Sequence, residues 1–177
     1  MEFINKNPKI FIISGKAGSG KNTVAKIIAE QKKNTINLAY ATPLKEYAKN
    51  ISSWDGTEET KPRELIQNLG VELIKTKIDN KMLIKRIIED IKVYSYFFEC
   101  ITISDARFPE EIEEIEKNFE NTTSIRVNRK RDHLTEKEKK HSTETAMNDY
   151  NKYDFIIDNN NTLEELKKKV LEVIKNV

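Results

Sequence analysis

Apolar positions along this chain alternate between two patterns. Runs rich in apolar and β-branched residues at 9–14, 36–40, 98–104, 123–127 and 154–158 have the length and composition of strands. Between them, apolar residues recur at three-to-four spacing, the mark of helices buried along one face. Strands separated by helices in this way predict an α/β fold, a roughly five-stranded parallel sheet wrapped by helices.

The helical stretches carry finer signals. Thr42 and Pro43 read as an N-cap and first-turn pair, after which Leu44, Tyr47, Ala48 and Ile51 share a face. From Thr60 to Ile91 the pattern is again helical, with Pro62 near its start, Leu65, Ile66, Leu69, Leu73 and Ile74 on one side, and a break at Asp79 and Asn80. Pro109 starts a helix with Ile112, Ile115 and Phe119 inward, and Leu163, Leu166, Val170, Val173, Ile174 and Val177 give the last helix its apolar stripe. The aromatics Trp54, Tyr94, Tyr96, Phe97 and Phe98 are expected to fill the core rather than to stack on a base. The basic stretch from Arg126 to His141 lacks apolar periodicity, which predicts an exposed, mobile segment after the fourth strand.

Between the first strand (Ile10, Phe11, Ile12, Ile13) and the first helix (Val24, Ile27, Ile28) lie Gly15, Lys16, Ala17, Gly18, Ser19, Gly20, Lys21, Asn22 and Thr23. The spacing of glycines and lysine is a weak signal alone; the strand before it and the helix after it make it a phosphate-binding loop. Backbone N–H groups of such a turn converge on an anion, the helix dipole favours negative charge there, and Lys21 reaches the outer phosphates. Asn22 stands where Ser or Thr usually places a hydroxyl on Mg²⁺, so Thr23, one position later, becomes the candidate metal ligand, against the plainer reading of a first-turn helix residue.

Three further sets of residues carry chemistry. Asp105 closes the third strand, where open α/β sheets bind ligands, and is placed to hold a magnesium-bound water or orient an accepting phosphate; Arg107 beside it can neutralise phosphate charge. The alternative is that Asp105 only caps the following helix and Arg107 is a surface charge. Arg63 opens the helical insertion, where a guanidinium can grip a monophosphate bidentately. Arg126, Arg129, Lys130 and Arg131 form the densest positive cluster, on the segment best placed to close over a nucleotide, and Arg129 and Arg131 are candidate catalytic charges.

Composition narrows the class. The 177 residues suit one domain with a substantial core, and 31 basic against 29 acidic side chains leave a net charge of +2. No global basic field points to nucleic acid, and no apolar run approaches membrane-spanning length, so neither partner is expected. Glu2 lies early in an amino terminus whose apolar run becomes the first strand, not a signal sequence. The single cysteine, Cys100, reads as a buried thiol, consistent with a reducing cytoplasm. His133 and His141 are too far apart and too poor in companions for a metal site.

Taken in order, GKAGSGKNTVA, YATPLKEYA, KPRELIQNLGVELIK, ITISDARFPEEIE, HSTETAMNDY and YDFIIDNNNTLEEL resemble the deoxynucleoside monophosphate kinases of bacteriophages and related bacterial proteins. The resemblance implies a three-layer P-loop kinase fold in one domain over residues 1–177, with a helical substrate-binding region at about 43–95 and a lid-like segment at about 128–147. It implies ATP and Mg²⁺, a nucleotide acceptor held by Arg63 and Gln67, Asp105 and Arg107 beside the transferring group, and allows a homodimer. The family's His-x-Ser-Glu block stands here as His141, Ser142, Thr143 and Glu144, which places Glu144 among the substrate-binding residues, and Asn22 replaces a frequent Asp. Two other readings stay open: a kinase for another phosphorylated small molecule, dephospho-coenzyme A or phosphomevalonate, and a non-enzymatic nucleotide-dependent binding module suggested by the local basic stretch.

Overall fold

The computed structural model describes residues 2–130 and 142–177. Five parallel strands, β1 (Lys9–Ser14), β2 (Thr35–Leu38), β3 (Cys100–Ala106), β4 (Thr122–Asn128) and β5 (Phe155–Asp158), form one sheet in the order β2-β3-β1-β4-β5. The helices are α1 (Lys21–Gln31), α2 (Ala41–Ile51), α3 (Arg63–Asn68), a π-helix (Leu69–Ile78) that continues α3, α4 (Met82–Tyr94), α5 (Pro109–Asn118), α6 (Ser142–Thr145) and α7 (Leu163–Lys175). Each predicted strand is present within a few residues of its expected bounds.

The alternation of β1 explains the layering. Ile10 and Ile12 point to one face, where α4 (Ile84, Ile87, Ile88, Ile91) and α5 (Ile112, Ile115) cover them. Phe11 and Ile13 point to the other, under α1 (Val24, Ile27, Ile28) and α7 (Leu166, Val170, Val173). A central parallel strand buried on both faces must read as continuous apolar sequence, as β1 does. Truncating a wholly buried residue of the sheet, as in Ile103→Ala in β3, is expected to cost about 2–5 kcal/mol. Cys100 is also buried, and burial raises its thiol pKa.

A third, smaller core explains why the insertion holds together. Leu44 and Ala48 of α2 pack against Ile66, Leu69 and Ile74. Leu73, expected on that face, is 42 % exposed. The cause is the π-helix: with i→i+5 bonds, seen in Asp79 N–H donating to Ile74 O, positions five apart align, so Leu69 and Ile74 share a face while Leu73 turns out. The break at Asp79 and Asn80 falls where expected.

Other expectations need correction. The α2 helix starts at Ala41, one residue before the expected cap Thr42, because a distant carboxylate caps it. Tyr47 and Ile51 lie beyond the buried stripe of α2, and Leu163 and Val177 flank rather than join that of α7. Tyr96 and Phe97 are exposed, Phe97 edge-on to Phe3 with ring centroids 5.8 Å apart. Arg126 is not part of a mobile segment but lies inside β4.

Candidate active site

Strand order positions the site. β1 lies between β3 and β4, so the loop leaving its carboxyl end emerges at the point where the chain's path across the sheet reverses, the usual ligand crevice of such sheets. Gly15 turns there with φ 144°, and a Cβ on it would lie 2.3 Å from the Val127 carbonyl oxygen. No other residue lets β1 and β4 come this close at the start of the loop.

The loop is braced from inside. The Lys21 ammonium donates to the Gly15 and Lys16 carbonyl oxygens at 2.7 and 2.8 Å. Burial, helped by the Arg107 charge, lowers its pKa to about 7, while Glu144 and Asp105 pull the other way. Across the same peptide unit from the Lys16 carbonyl, the Ala17 N–H donates at 2.9 Å to Glu144 Oε2. The other oxygen of that buried carboxylate pairs with Arg107 Nη1 at 2.5 Å. A side-chain anion thus occupies an N–H and a guanidinium suited to negative charge.

Asp105 sits within β3, its carboxylate accepting Tyr40 N–H at 2.8 Å and Ala41 N–H at 3.0 Å. It therefore caps α2, not the next helix, and fixes the start of the helical insertion to the sheet. Burial pushes its pKa up against those two donors and the neighbouring cations. Beside it, Glu111 Oε2 accepts Arg107 N–H at 2.6 Å and Phe108 N–H at 3.0 Å, and burial raises it to about 8. Glu111 thereby orients the backbone that carries Arg107.

One cavity of about 740 Å³ is lined both by the loop, including Thr23, and by Arg63 and Gln67 of α3. That volume falls within the usual range for small-molecule sites. Asp105, Arg107, Arg129 and Glu144 also face it. Arg63 is largely exposed; among the described residues its side chain has a 3.6 Å contact to Glu58, a surface pair worth little. Arg126 is directed elsewhere, donating to Met147 O at 2.6 Å and to Asn128 Oδ1 at 3.0 Å. Arg131 and His141 lie outside the described residues.

Lys75 and Asn159 were missed by sequence reasoning. Lys75 Nζ is 3.4 Å from the Phe108 ring centroid and 2.6 Å from Glu110 Oε1, on the cavity wall. Asn159, just past β5, donates from Nδ2 to the Ser19 carbonyl at 2.8 Å. Only the polar run of asparagines after the last strand hinted at the latter. Among the described residues no group of three or more His, Cys, Asp or Glu could hold a metal ion, and no helix is long and apolar enough to cross a membrane.

A family model described as deoxynucleotide monophosphate kinase matches residues 47–170. A putative deoxynucleotide monophosphate kinase of Acanthamoeba polyphaga mimivirus is 26 % identical over 195 residues, covering 93 % of this chain and 95 % of that protein. Among solved structures, a sugar kinase from Janibacter sp. HTCC2649 superposes with a TM-score of 0.62 at 12 % identity over 95 % of each chain. The dephospho-CoA kinase from Campylobacter jejuni gives 0.54 at 16 % identity over 95 % of this chain and 96 % of that one. At such identities the structures speak to the fold, that of P-loop kinases.

Proposed function

For this chain, which belongs to the deoxynucleotide monophosphate kinase family and is a phosphotransferase, we propose ATP- and Mg²⁺-dependent phosphoryl transfer to a deoxynucleoside monophosphate. An oxygen of the acceptor phosphate attacks the γ-phosphorus of ATP, the bond to the β–γ bridging oxygen breaks, and the products are the deoxynucleoside diphosphate and ADP. The observation that carries this reading is the single cavity lined by the phosphate loop and by Arg63 and Gln67. In this reading the donor and acceptor nucleotides share that space, and Arg107 lines it.

Residues 15–23 hold the donor phosphates through backbone N–H groups, and Lys21 follows the charge outward from its carbonyl contacts. Arg63 binds the acceptor phosphate and Gln67 its nucleoside. Arg107, Arg129 and Arg131 neutralise charge on the transferring group, the last two from a lid-like segment at about 128–147 of a single kinase domain. Glu144 holds Arg107 on the substrate side of the loop.

The residues suit magnesium, which needs few protein ligands when phosphates and waters supply the rest. Thr23 faces the cavity, and each Asp105 oxygen bonded to one N–H keeps a lone pair for a water. Held by Thr23 and, through water, by Asp105, the ion would supply neutralisation of phosphate charge. The protein's share is positioning: Asp105 fixes α2 and Glu111 fixes Arg107.

The test is ADP formation from ATP across the common deoxy- and ribonucleoside monophosphates, with dephospho-coenzyme A and phosphomevalonate alongside and Lys21→Ala as control. Turnover that needs both a deoxynucleotide acceptor and Lys21 is expected. Turnover only with another acceptor overturns the substrate, and none above the control overturns the activity.

A further inference from the structure

We infer that Asn159 is a positioning residue for the donor phosphates: by holding the Ser19 carbonyl, it turns the Gly20 N–H into the phosphate cradle. The inference rests on the reading of residues 15–23 as the donor-phosphate site.

The peptide unit supplies the logic. All described peptide bonds are trans, so the C=O of one residue and the N–H of the next point in opposite directions within one plane. Anchoring the carbonyl therefore aims the amide. The Lys16–Ala17 unit already displays this: Lys21 Nζ and Ser19 N–H hold the Lys16 oxygen at 2.8 and 3.2 Å, and the Ala17 N–H on the opposite side meets the Glu144 carboxylate. The Ser19–Gly20 unit is arranged the same way. Its carbonyl oxygen accepts from Asn159 Nδ2 at 2.8 Å, and Gly20 lines the cavity.

Two observations show that this contact is built rather than incidental. The Asn159 backbone N–H donates to the Asn128 carbonyl at 2.8 Å, which ties the residue to the end of β4. Gly20 adopts φ 104°, and a Cβ there would lie 2.4 Å from Asn159 Nδ2, so loop and amide fit each other with no room for a side chain. Without the anchor, a loop rich in glycine can rotate this peptide unit at low cost, because glycine populates both signs of φ. The amide then spends part of its time facing away from the phosphate.

Asn159→Ala removes the donor, and Asn159→Asp keeps the shape while presenting only acceptors to the Ser19 oxygen. Both variants are measured for thermal unfolding, for KM of ATP and of the acceptor, and for affinity toward ATP and toward inorganic tripolyphosphate. The expected result is a loss of about tenfold in affinity for both polyphosphates, the scale of one hydrogen bond to a charged group, with ATP KM raised, acceptor KM unchanged, and melting within a few degrees of the parent. Weakened ATP with unchanged tripolyphosphate would make Asn159 a contact of the nucleoside and overturn the inference. Equal loss for donor and acceptor, or no loss at all, overturns it too. If the parent chain binds neither polyphosphate, the failure lies with the donor site itself.

Discussion

The two ends of the cavity are built on different principles. At the proposed donor end the loop is braced by side chains of the protein: Lys21 on two carbonyls, Glu144 on the Ala17 N–H and Arg107, Asn159 on Ser19. At the acceptor end Arg63 stands largely exposed beside a weak contact, on a short helix continued by a π-helix. On the proposed reading the first end is an anion cradle braced before any nucleotide arrives. The second holds its cation in reserve. A cradle of preset donors loses little on reorganisation when charge arrives, which is the property that stabilises a transition state; a mobile cation contributes mainly to capture of its substrate.

That contrast predicts which readout each end controls. The largest effect belongs to the donor end: Lys21→Ala is expected to lower kcat by on the order of 10³-fold, as loss of a preorganised charge does, with a folded far-ultraviolet spectrum. Steady-state kinetics on a folded variant checks it, and parental turnover would remove Lys21 from the site. At the acceptor end, Arg63→Ala is expected to raise acceptor KM about tenfold, in keeping with one charge-assisted contact, and to leave ATP KM alone. Should ATP KM rise instead, the assignment of the two ends is reversed.

How much of this contrast could be read beforehand depends on sequence distance. The loop of residues 15–23 is contiguous, and the strand and helix that flank it are local patterns, so its place in the fold was legible. The partners that brace it come from far along the chain: Glu144 is 127 residues from Ala17, and Asn159 is 140 from Ser19. No periodicity reports such a pairing. The same limit explains Thr42, since the cap of α2 comes from Asp105, 65 residues from Tyr40. It explains the fold as well: five strands were legible from composition, but their order rests on which faces pack together. Leu73 was misplaced for a different reason, because a π-helix and an α-helix present the same apolar residues with different periods.

A subtler prediction concerns the anion already in the cradle. Glu144 occupies the Ala17 N–H and Arg107; if the proposed donor phosphate draws on the same groups, the carboxylate opposes its binding. Glu144→Gln keeps the shape and an acceptor oxygen while removing the charge. It is expected to tighten tripolyphosphate binding a few-fold, about 1 kcal/mol on the scale of one neutralised contact, with acceptor KM following separately from any role on the substrate side. Weaker tripolyphosphate binding would mean that the carboxylate supports the phosphate rather than standing in for it.

The smallest effect follows from Lys21 itself. Burial and the nearby Arg107 lower the pKa of its ammonium to about 7 in the free protein, against the pull of Glu144 and Asp105, so the group titrates in the neutral range. Polyphosphate favours the charged form and must raise that pKa. The complex then binds more protons than the free protein above the free value, and affinity falls as pH rises through about 7 and beyond. The expected uptake is about half a proton at pH 7, read from calorimetric heats in buffers of different ionisation enthalpy. Lys21→Arg separates this from titration of the ligand, since a guanidinium stays charged throughout: the variant should lose the uptake due to residue 21 and keep the remainder. If parent and Lys21→Arg take up the same number of protons, Lys21 is already charged in the free cradle. The carbonyls of Gly15 and Lys16, together with the acidic side chains nearby, then outweigh its burial.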